Sequence, residues 1–398
     1  MDPGHARAGF AYSASVRLVH VLTPGDHYSP RTGSAVPTVV DGLSAARPSA
    51  EPRPVVVIAR GTYPDRYDSA DSIEFDPVPQ LHVGPVGQRH LDAALSLVGL
   101  PRWGARRWLA ASLAAQHEWP HSVVIGHNMP ELIPSVDAAR HVPVLYAHND
   151  LLRTYRRSEA ARVLAPAGAI VCVSDALAQR FTDKLPAGIS GRVRVVRNGV
   201  DAAAFGRGGP LERQGPLRVV FVGRMIPDKG ADVLVSAVRR LDRPDIDLTL
   251  VGSSGFSEHD PLTPFERSIR QELAPLGDRA RVRPFVPRAE VASLLQTADV
   301  AVVPSRWPDP CPLSVLEGMA AGAAVVGSEI GGIPETLRGP GVLVRPGSVE
   351  DLAAALEAMA DDENYRLGVA RSCLAYAQAH DWATASAGLH SALTGLRA

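Results

Sequence analysis

Two carboxylates stand eight positions apart in the stretch WPDPCPLSVLEGMAAG, residues 307–322: Asp309 among the prolines and Glu317 in the helix-forming run that follows. Proline at a first helical turn gives up a donor that has no intrahelical partner anyway, so the stretch reads as a helix entrance. Asp309 falls just outside that entrance and Glu317 one or two turns in. Free amides at a helix start, with the positive end of its dipole behind them, attract anions. Carboxylates in the same place accept hydrogen bonds from hydroxyls. One ligand carrying both phosphate and hydroxyl groups satisfies both sets. The letters also fit two plainer readings: Ser314 and Glu317 form the S-x-x-E pattern of a capping box, and Asp309 is a common turn residue beside proline.

A second constellation lies upstream in VVFVGRMIPDKGADVLVSAV, residues 219–238. A strand ends at Val222, Gly223 turns, and Arg224 and Lys229 precede a helix expected from about Ala231. Two cations beside a helix start make a site for a dianion, whereas the plain alternative is solvated surface charge. Lys229 stands out, because only it and Lys184 are lysines among 41 basic residues. Further on, GSEIGGIPETL, residues 327–337, puts Gly331 and Gly332 after another strand. Paired glycines permit a close backbone approach to a ligand, or only a tight turn.

The elements that must position these groups alternate along the chain. Short β-branched runs are expected as strands at 16–22, 55–58, 123–125, 142–147, 169–173 and 193–196. A second series follows at 217–222, 248–251, 283–286, 300–303, 324–327 and 342–344. Helical segments separate them. Continuous apolar strands divided by helices imply parallel sheets covered on both faces. The Gly/Pro/charged break GRGGPLERQGP, residues 206–216, divides them into two α/β units, read as Rossmann-like domains with ligands at the strands' carboxyl ends in the cleft between. The expected domains are 1–208, 209–380, and a C-terminal helical segment 381–398 returning toward the first.

Bulk properties narrow the function classes. The chain has 398 residues, 45% of them hydrophobic, and a formal net charge of -1, which argues against a nucleic-acid partner. Three cysteines, Cys172, Cys311 and Cys373, are too few and scattered for a disulfide framework or a zinc site, and a reducing cytoplasm suits them. The opening MDPGHARAGFAYSAS lacks the apolar core of a signal peptide, and no later run reaches membrane-spanning length. A D-x-D metal site would need Asp245 and Asp247 at a strand's end, but in PDIDLTLVG they precede one. An NAD-dependent oxidoreductase is disfavoured because no G-x-G-x-x-G follows the first strand.

The runs GRMIPDKG and RPFVPRAEVASLLQTADVAVVPSRWPDPCPLSVLEGMAAGAAVVGSEIGGIPE together resemble the donor-binding half of glycosyltransferase family 4, the retaining GT-B enzymes. The family's hallmark is a glutamate, seven residues and a second glutamate; here Asp309, seven residues and Glu317 stand in that order. The likeness is strong over 217–345. VRLVHVLTP, TGSAVPTVVDGL, VLYAHND, IVCVSDALAQRF and VVRNGVDAAAF extend it more loosely over nearly the whole chain. It implies a metal-independent hexosyltransferase with no cofactor, whose donor is a nucleoside-diphosphate sugar, UDP- or GDP-linked. Arg224 and Lys229 match the cations that neutralise the diphosphate. Val286 matches the residue whose backbone meets the nucleobase, Glu317 the ribose acceptor and Asp309 the group that holds a donor-sugar hydroxyl. Amides around Cys311, Leu313 and Ser314 then face phosphate or sugar oxygens. Gly33 and Ser34 match the start of the first helix, whose amides touch the donor's phosphate, and His148 matches a histidine near the reacting carbon.

Two departures bear on the sugar: Asp309 is one methylene shorter than the family glutamate, and Pro312 stands where glycine is common and removes an amide. On placement at strand ends, His127, Asn128 and Glu131, with Asn149 and Asp150 beside His148, are the acceptor-side candidates. A lone histidine is otherwise more often structural. The acceptor is read first as a small sugar, cyclitol or natural-product scaffold. The alternatives are a lipid-linked acceptor met at a membrane surface and a nucleotide-sugar-binding protein without turnover. The membrane alternative rests on LPRWGARRWLAASLAAQHEW, residues 100–119, where Trp103 and Trp108 mix with Arg102, Arg106 and Arg107. Arg153, Arg156 and Arg157 meet either an anionic acceptor or only solvent.

Overall fold

Val55–Ala59 is five apolar residues in a row, every one buried, as expected of a strand packed on both faces. In the computed structural model the described residues are 16–78, 84–97, 99–207, 212, 215–255, 261–284 and 286–396. The N-terminal segment discussed above and most of the 206–216 break lie outside them. The strands are β1 Arg17–Val21, β2 Val55–Ala59, β3 Asp71–Phe75, β4 Ser122–His127, β5 His141–Ala147, β6 Ala169–Cys172 and β7 Val193–Val195. They continue with β8 Leu217–Val222, β9 Ile246–Val251, β10 Ala280–Arg283, β11 Val300–Val303, β12 Ala324–Ser328 and β13 Val342–Val344.

Two compact units divide the chain. The first takes described residues of 1–29, 36–197 and 386–398, and the second those of 30–35 and 198–385. The first unit holds a seven-stranded sheet in the order β3-β2-β1-β4-β5-β6-β7. The second holds a six-stranded sheet in the order β10-β9-β8-β11-β12-β13. Every strand pairing in both is parallel. In each sheet the strand order reverses beside the unit's first strand, between β1 and β4 and between β8 and β11. Loops diverge at such a switch point, and ligands of doubly wound sheets bind there.

Each sheet is covered on both faces. In the first unit Val19, Val21, Val55, Val57, Val124 and Leu132 form one apolar layer, while Leu22, Val40, Val56 and Ile58 form another. In the second, Leu217, Val219, Leu248 and Leu234 pack on one side, with Val220, Val251, Ala301 and Leu316 on the other. Each fully buried Val or Leu contributes about 1.5–3 kcal/mol. The strand ends that carry the polar residues are therefore anchored in tightly packed layers.

Both departures from the expected strands are at sheet edges. β3, with the sequence DSIEF, was not expected, and its exposed, polar-rich pattern is that of a strand paired on one side only. β10 is Ala280–Arg283, so it shares only Arg283 with the expected 283–286 and stops where Pro284 has no amide to offer. Asp245 and Asp247 sit at the amino end of β9, where Asp245 is bound to Arg243 at 2.9 Å.

The segment 100–119 forms a helix, Trp103–Ala110, followed by 3-10 turns. Its basic residues point inward more than the sequence suggests. Arg102 binds the buried Glu159 at 2.8 Å and lies 3.8 Å over the Tyr155 ring, and Arg106 binds the buried Glu131 at 2.8 Å. Arg107 and the 53%-exposed Trp103 stay outside. Among the described residues no helix is long and apolar enough to cross a membrane.

Candidate functional site

The loop after β8 is pinned to the end of β9 by hydrogen bonds from Gly223 N to Val251 O, 3.0 Å, and from Met225 N to Ser253 O, 3.0 Å. A 3-10 turn, Pro227–Lys229, leads to Gly230 at φ +71°, which opens the helix Ala231–Leu241. A Cβ on Gly230 would stand 2.0 Å from the carbonyl oxygen of Pro304, so only glycine lets the β8 and β11 loops approach this closely. The helix then buries Ala231, Val233, Leu234, Val235, Ala237 and Val238. Lys229 is thereby held at the switch point.

The loop after β11 is stapled from several directions. Arg306 N and Trp307 N donate to Asp228 O at 2.9 and 3.2 Å, and Asp309 N donates to Trp307 O at 2.7 Å. Gly332 N donates to Asp309 O at 2.9 Å, and Asn198 Nδ2 donates to Cys311 O at 3.0 Å. Gly331, at φ +64°, lies so near that a Cβ there would be 2.4 Å from Asp309 O. The close approach that the paired glycines permit is thus to this loop's own backbone. The Asp309 side chain, in a residue only 9% exposed, makes an ion pair with Lys229 Nζ.

The helix Leu313–Ala320 starts at Pro312 with no side-chain cap. The capping-box alternative is therefore not what forms. Glu317, 4% exposed, directs its carboxylate to Arg288 Nη2 at 2.6 Å, away from the helix start. A guanidinium on a facing helix offers a charge-assisted bond, which is stronger than the neutral one to an amide. Among the described residues the amides of Leu313 and Ser314 have no acceptor. Open amides, a lysine and two carboxylates thus share one end of the second sheet.

The other candidates in this unit have the following surroundings. Arg224 is exposed and makes no ion pair among the described residues. The Val286 side chain belongs to the apolar layer with Leu316 and Met319, leaving its backbone for any ligand contact. Cys311 is in no disulfide. Ser34 N, at the start of the helix Ala35–Ala45, is taken by Thr32 Oγ1 at 3.1 Å, and Gly33 beside it is exposed. Among the described residues no group of three His, Cys, Asp or Glu side chains is placed to hold a metal ion.

In the first unit β4 ends at His127 and β5 just before His148. Asn128 turns the chain at φ +58°, a left-handed conformation that asparagine tolerates better than most residues. Its Oδ1 accepts from His148 N at 2.7 Å while its own N donates to Tyr146 O at 2.9 Å. His127 Nδ1 and His148 Nε2 are 2.9 Å apart, and His20 Nδ1, on β1, is 2.9 Å from His127 Nε2. Burial pushes all three rings below the ordinary histidine range, His20 to about 4, His148 to about 3 and His127 well down, each reinforced by a neighbouring imidazole. The three are neutral at physiological pH.

The remaining acceptor-side candidates have other attachments. Glu131 is bound to Arg106, and burial raises its pKa. Asp150 is bound to Arg180 at 2.9 Å. Asn149 is exposed and its carbonyl caps the following turn from Leu151 N. The residues that sequence reasoning passed over are Arg288, Asn198 and His20. All three lie in runs that carry the family resemblance, and His20 had a signal of its own as a histidine inside the apolar run RLVHVL.

Residues 216–362 match the model of a family described as Glycosyl transferases group 1. A glycogen synthase of Mycobacterium tuberculosis is 32% identical over 238 residues, 59% of this chain and 55% of that protein. A D-inositol 3-phosphate glycosyltransferase of Corynebacterium aurimucosum is 33% identical over 179 residues, 44% of this chain and 42% of that one. The chain spans about half the length of these curated relatives. An alpha-maltose-1-phosphate synthase of Mycobacterium tuberculosis is 31% identical over 268 residues, 62% of this chain and 67% of its own. Among solved structures, Anabaena HepE in complex with UDP superposes with a TM-score of 0.69 at 18% identity, over 94% of this chain and 99% of that one. The trehalose-6-phosphate synthase OtsA superposes at 0.71 with 15% identity, over 95% and 98%. At such identities the superpositions establish the fold, which is GT-B, with two parallel-sheet Rossmann-like domains. Taken with the sequence matches, they make this chain a member of the glycosyl transferases group 1 family.

Proposed function

We propose that the chain is a retaining glycosyltransferase that moves a hexosyl-type group from a UDP- or GDP-linked sugar to a hydroxyl of a small acceptor, without a metal ion. The observation that carries this reading is the meeting of Lys229 and Asp309 beside the uncapped start of the helix Leu313–Ala320. A diphosphate takes the ammonium and the free amides, and a sugar hydroxyl takes the carboxylate. HepE has been solved with UDP-glucose as well as with UDP, which supports a nucleotide sugar as the ligand class.

In this reading Lys229 and Arg224 offset the charge that grows on the departing diphosphate, and the fixed amides add to it without reorganising. Glu317, held by Arg288, receives the ribose hydroxyls, and His148 takes the part of the histidine that the family resemblance assigns near the reacting carbon. The acceptor hydroxyl attacks the anomeric carbon from the side the diphosphate leaves. Its proton passes to the leaving phosphate oxygen, so no protein nucleophile is used. Positioning and charge stabilisation supply the acceleration.

The test is a thermal-shift screen of nucleotide sugars, followed by transfer to sugar, cyclitol and natural-product acceptors with the best hit. Product formed with the donor's anomeric configuration, undiminished by chelator, is the expected outcome. Inverted product, or strict dependence on manganese or magnesium, refutes the mechanism. Tight donor binding with neither transfer nor hydrolysis makes the chain a binding protein instead.

A further inference from the structure

His148, His127 and His20 form an unbroken file of imidazoles. His148 Nε2 meets His127 Nδ1, and His127 Nε2 meets His20 Nδ1, each at 2.9 Å. Tyr146 stacks on both His127 and His148, with centroids 5.3 and 4.6 Å away, and so fixes the planes of the rings. His127 and His20 are buried, and among the described residues the nitrogens that join the file have partners only within it, His127 between His20 and His148. A neutral imidazole carries one N–H and one lone pair. Two consecutive ring-to-ring bonds can therefore form only if all three rings adopt the same tautomer. The proton pattern of the whole file is one binary choice.

The far end decides that choice. His20 lines a small cavity together with Ser44, Arg47, Glu51, Ser386 and His390. Among the described residues Arg47 Nε, Ser44 Oγ and Ser386 Oγ are buried there without hydrogen-bond partners, while the Glu51 carboxylate is engaged by His390. Each hydroxyl that accepts a hydrogen bond also has a hydrogen of its own to place, so the Arg47 N–H leaves the three groups one acceptor short. A buried donor left unmade costs about 1–3 kcal/mol. A lone pair on His20 Nε2 relieves that shortage of acceptors, directly or through a water, and an N–H there would worsen it. With Nε2 bare, His20 carries its proton on Nδ1 and donates to His127 Nε2. His127 then donates from Nδ1 to His148 Nε2, and His148 is left with its proton on Nδ1.

We propose that His20 and His127 are positioning residues that fix His148 in the Nδ1–H tautomer, so that it presents a hydrogen-bond donor, not an acceptor, to its ligand. The cavity beside His20, remote in sequence from His148, selects the tautomer. The proposal rests on the transferase reading only for what that N–H meets, an oxygen of the substrate.

Nitrogen-15 NMR of the full chain labelled at histidine tests it without any assay of activity. In the wild-type protein at neutral pH all three rings are expected to be neutral and protonated at Nδ1. Any of the three found protonated at Nε2 overturns the proposal, whatever the variants do. His20→Phe removes the donor to His127, and His148 is expected to become a mixture of tautomers. His20→Asn, whose amide nitrogen occupies the place of Nδ1, restores the single form. An unchanged His148 spectrum in folded His20→Phe also overturns the proposal. With a donor and acceptor pair that turn over, His20→Phe should lower kcat about tenfold with donor KM unchanged, and His20→Asn should recover it. Correct tautomers in a protein that never turns over would count against the transferase reading and leave the file intact.

Discussion

Replacing Gly331 by alanine probes the loop that carries Asp309 without touching a polar group. The added Cβ would lie 2.4 Å from Asp309 O, 2.6 Å from Pro308 C and 2.7 Å from Asp309 N, all backbone atoms that have no rotamer to change. The loop must retreat by roughly 1 Å, at an overpacking cost of about 1–3 kcal/mol. Alanine at φ +64° adds about 1–2 kcal/mol. Because a native domain commonly has about 5–15 kcal/mol in hand, the variant should fold. The retreat strains the bond from Gly332 N to Asp309 O and shifts the carboxylate that, in the proposed function, accepts a donor-sugar hydroxyl. Losing one hydrogen bond to a charged group costs about 1.5–3 kcal/mol, or roughly 10- to 150-fold in affinity. Isothermal titration with UDP-glucose and with UDP, alongside urea unfolding, reads both effects. The sugar nucleotide should lose most of that affinity and UDP much less, while the unfolding midpoint falls. Gly368→Ala is the control, since Gly368 lies within the helix Glu363–Ala379 with open space at its Cβ position. It should be neutral or stabilising by about 0.5–1 kcal/mol. Wild-type affinity and stability in Gly331→Ala would refute the role given to this contact.

Three further outcomes are expected. Lys229→Ala and Glu317→Ala should each weaken UDP-glucose binding about tenfold or more, with circular dichroism unchanged; full affinity in both removes them from the site. Arg288→Met keeps apolar bulk but strips Glu317 of its 2.6 Å partner, and should weaken UDP binding several-fold, an effect absent when Glu317 is already alanine; equal losses in both backgrounds would show that Arg288 acts elsewhere. Stability should fall as pH drops, because burial keeps His20 neutral down to about 4 while the unfolded chain takes up that proton near 6.5. The unfolded state binds more protons in that window, so His20 alone costs about 1.4 kcal/mol per pH unit between those values. Urea midpoints from pH 7.5 to 4.5 should be visibly less steep in His20→Phe, and an identical slope would mean that the ring is charged in the folded protein.

The parts of the fold that were legible in the sequence are those where local pattern and burial agree. Interior strands such as VVVIA at 55–59 announce themselves because both faces are covered. The edge strands β3 and β10 do not, because one side of each is unpaired and tolerates Asp, Glu and Arg. The cluster of Lys229, Asp309 and Glu317 was legible as a set from its spacing about two helix starts. Its fine structure was not, because it depends on partners from elsewhere in the chain. The S-x-x-E letters favour a capping box until Arg288, 29 residues away, competes for the same carboxylate. Asn198 reaches Cys311 across 113 positions, and His20 reaches His127 across 107. Neither partnership leaves a periodic trace. Arg102 and Arg106 mislead in the opposite sense: they look surface-directed beside tryptophan, yet Glu159 and Glu131 draw them inward.

The bond between Lys229 and Asp309 has a consequence for selectivity. Each half of that pair is the other's counter-ion, so whatever displaces one must look after both. A lone inorganic phosphate would capture the ammonium and strand a mostly buried carboxylate. A lone monosaccharide would approach the carboxylate while the ammonium still held it. Only a molecule with an anion and a hydroxyl at the right separation replaces both interactions at once, so the pair works as a coincidence detector that discounts fragments against the intact conjugate.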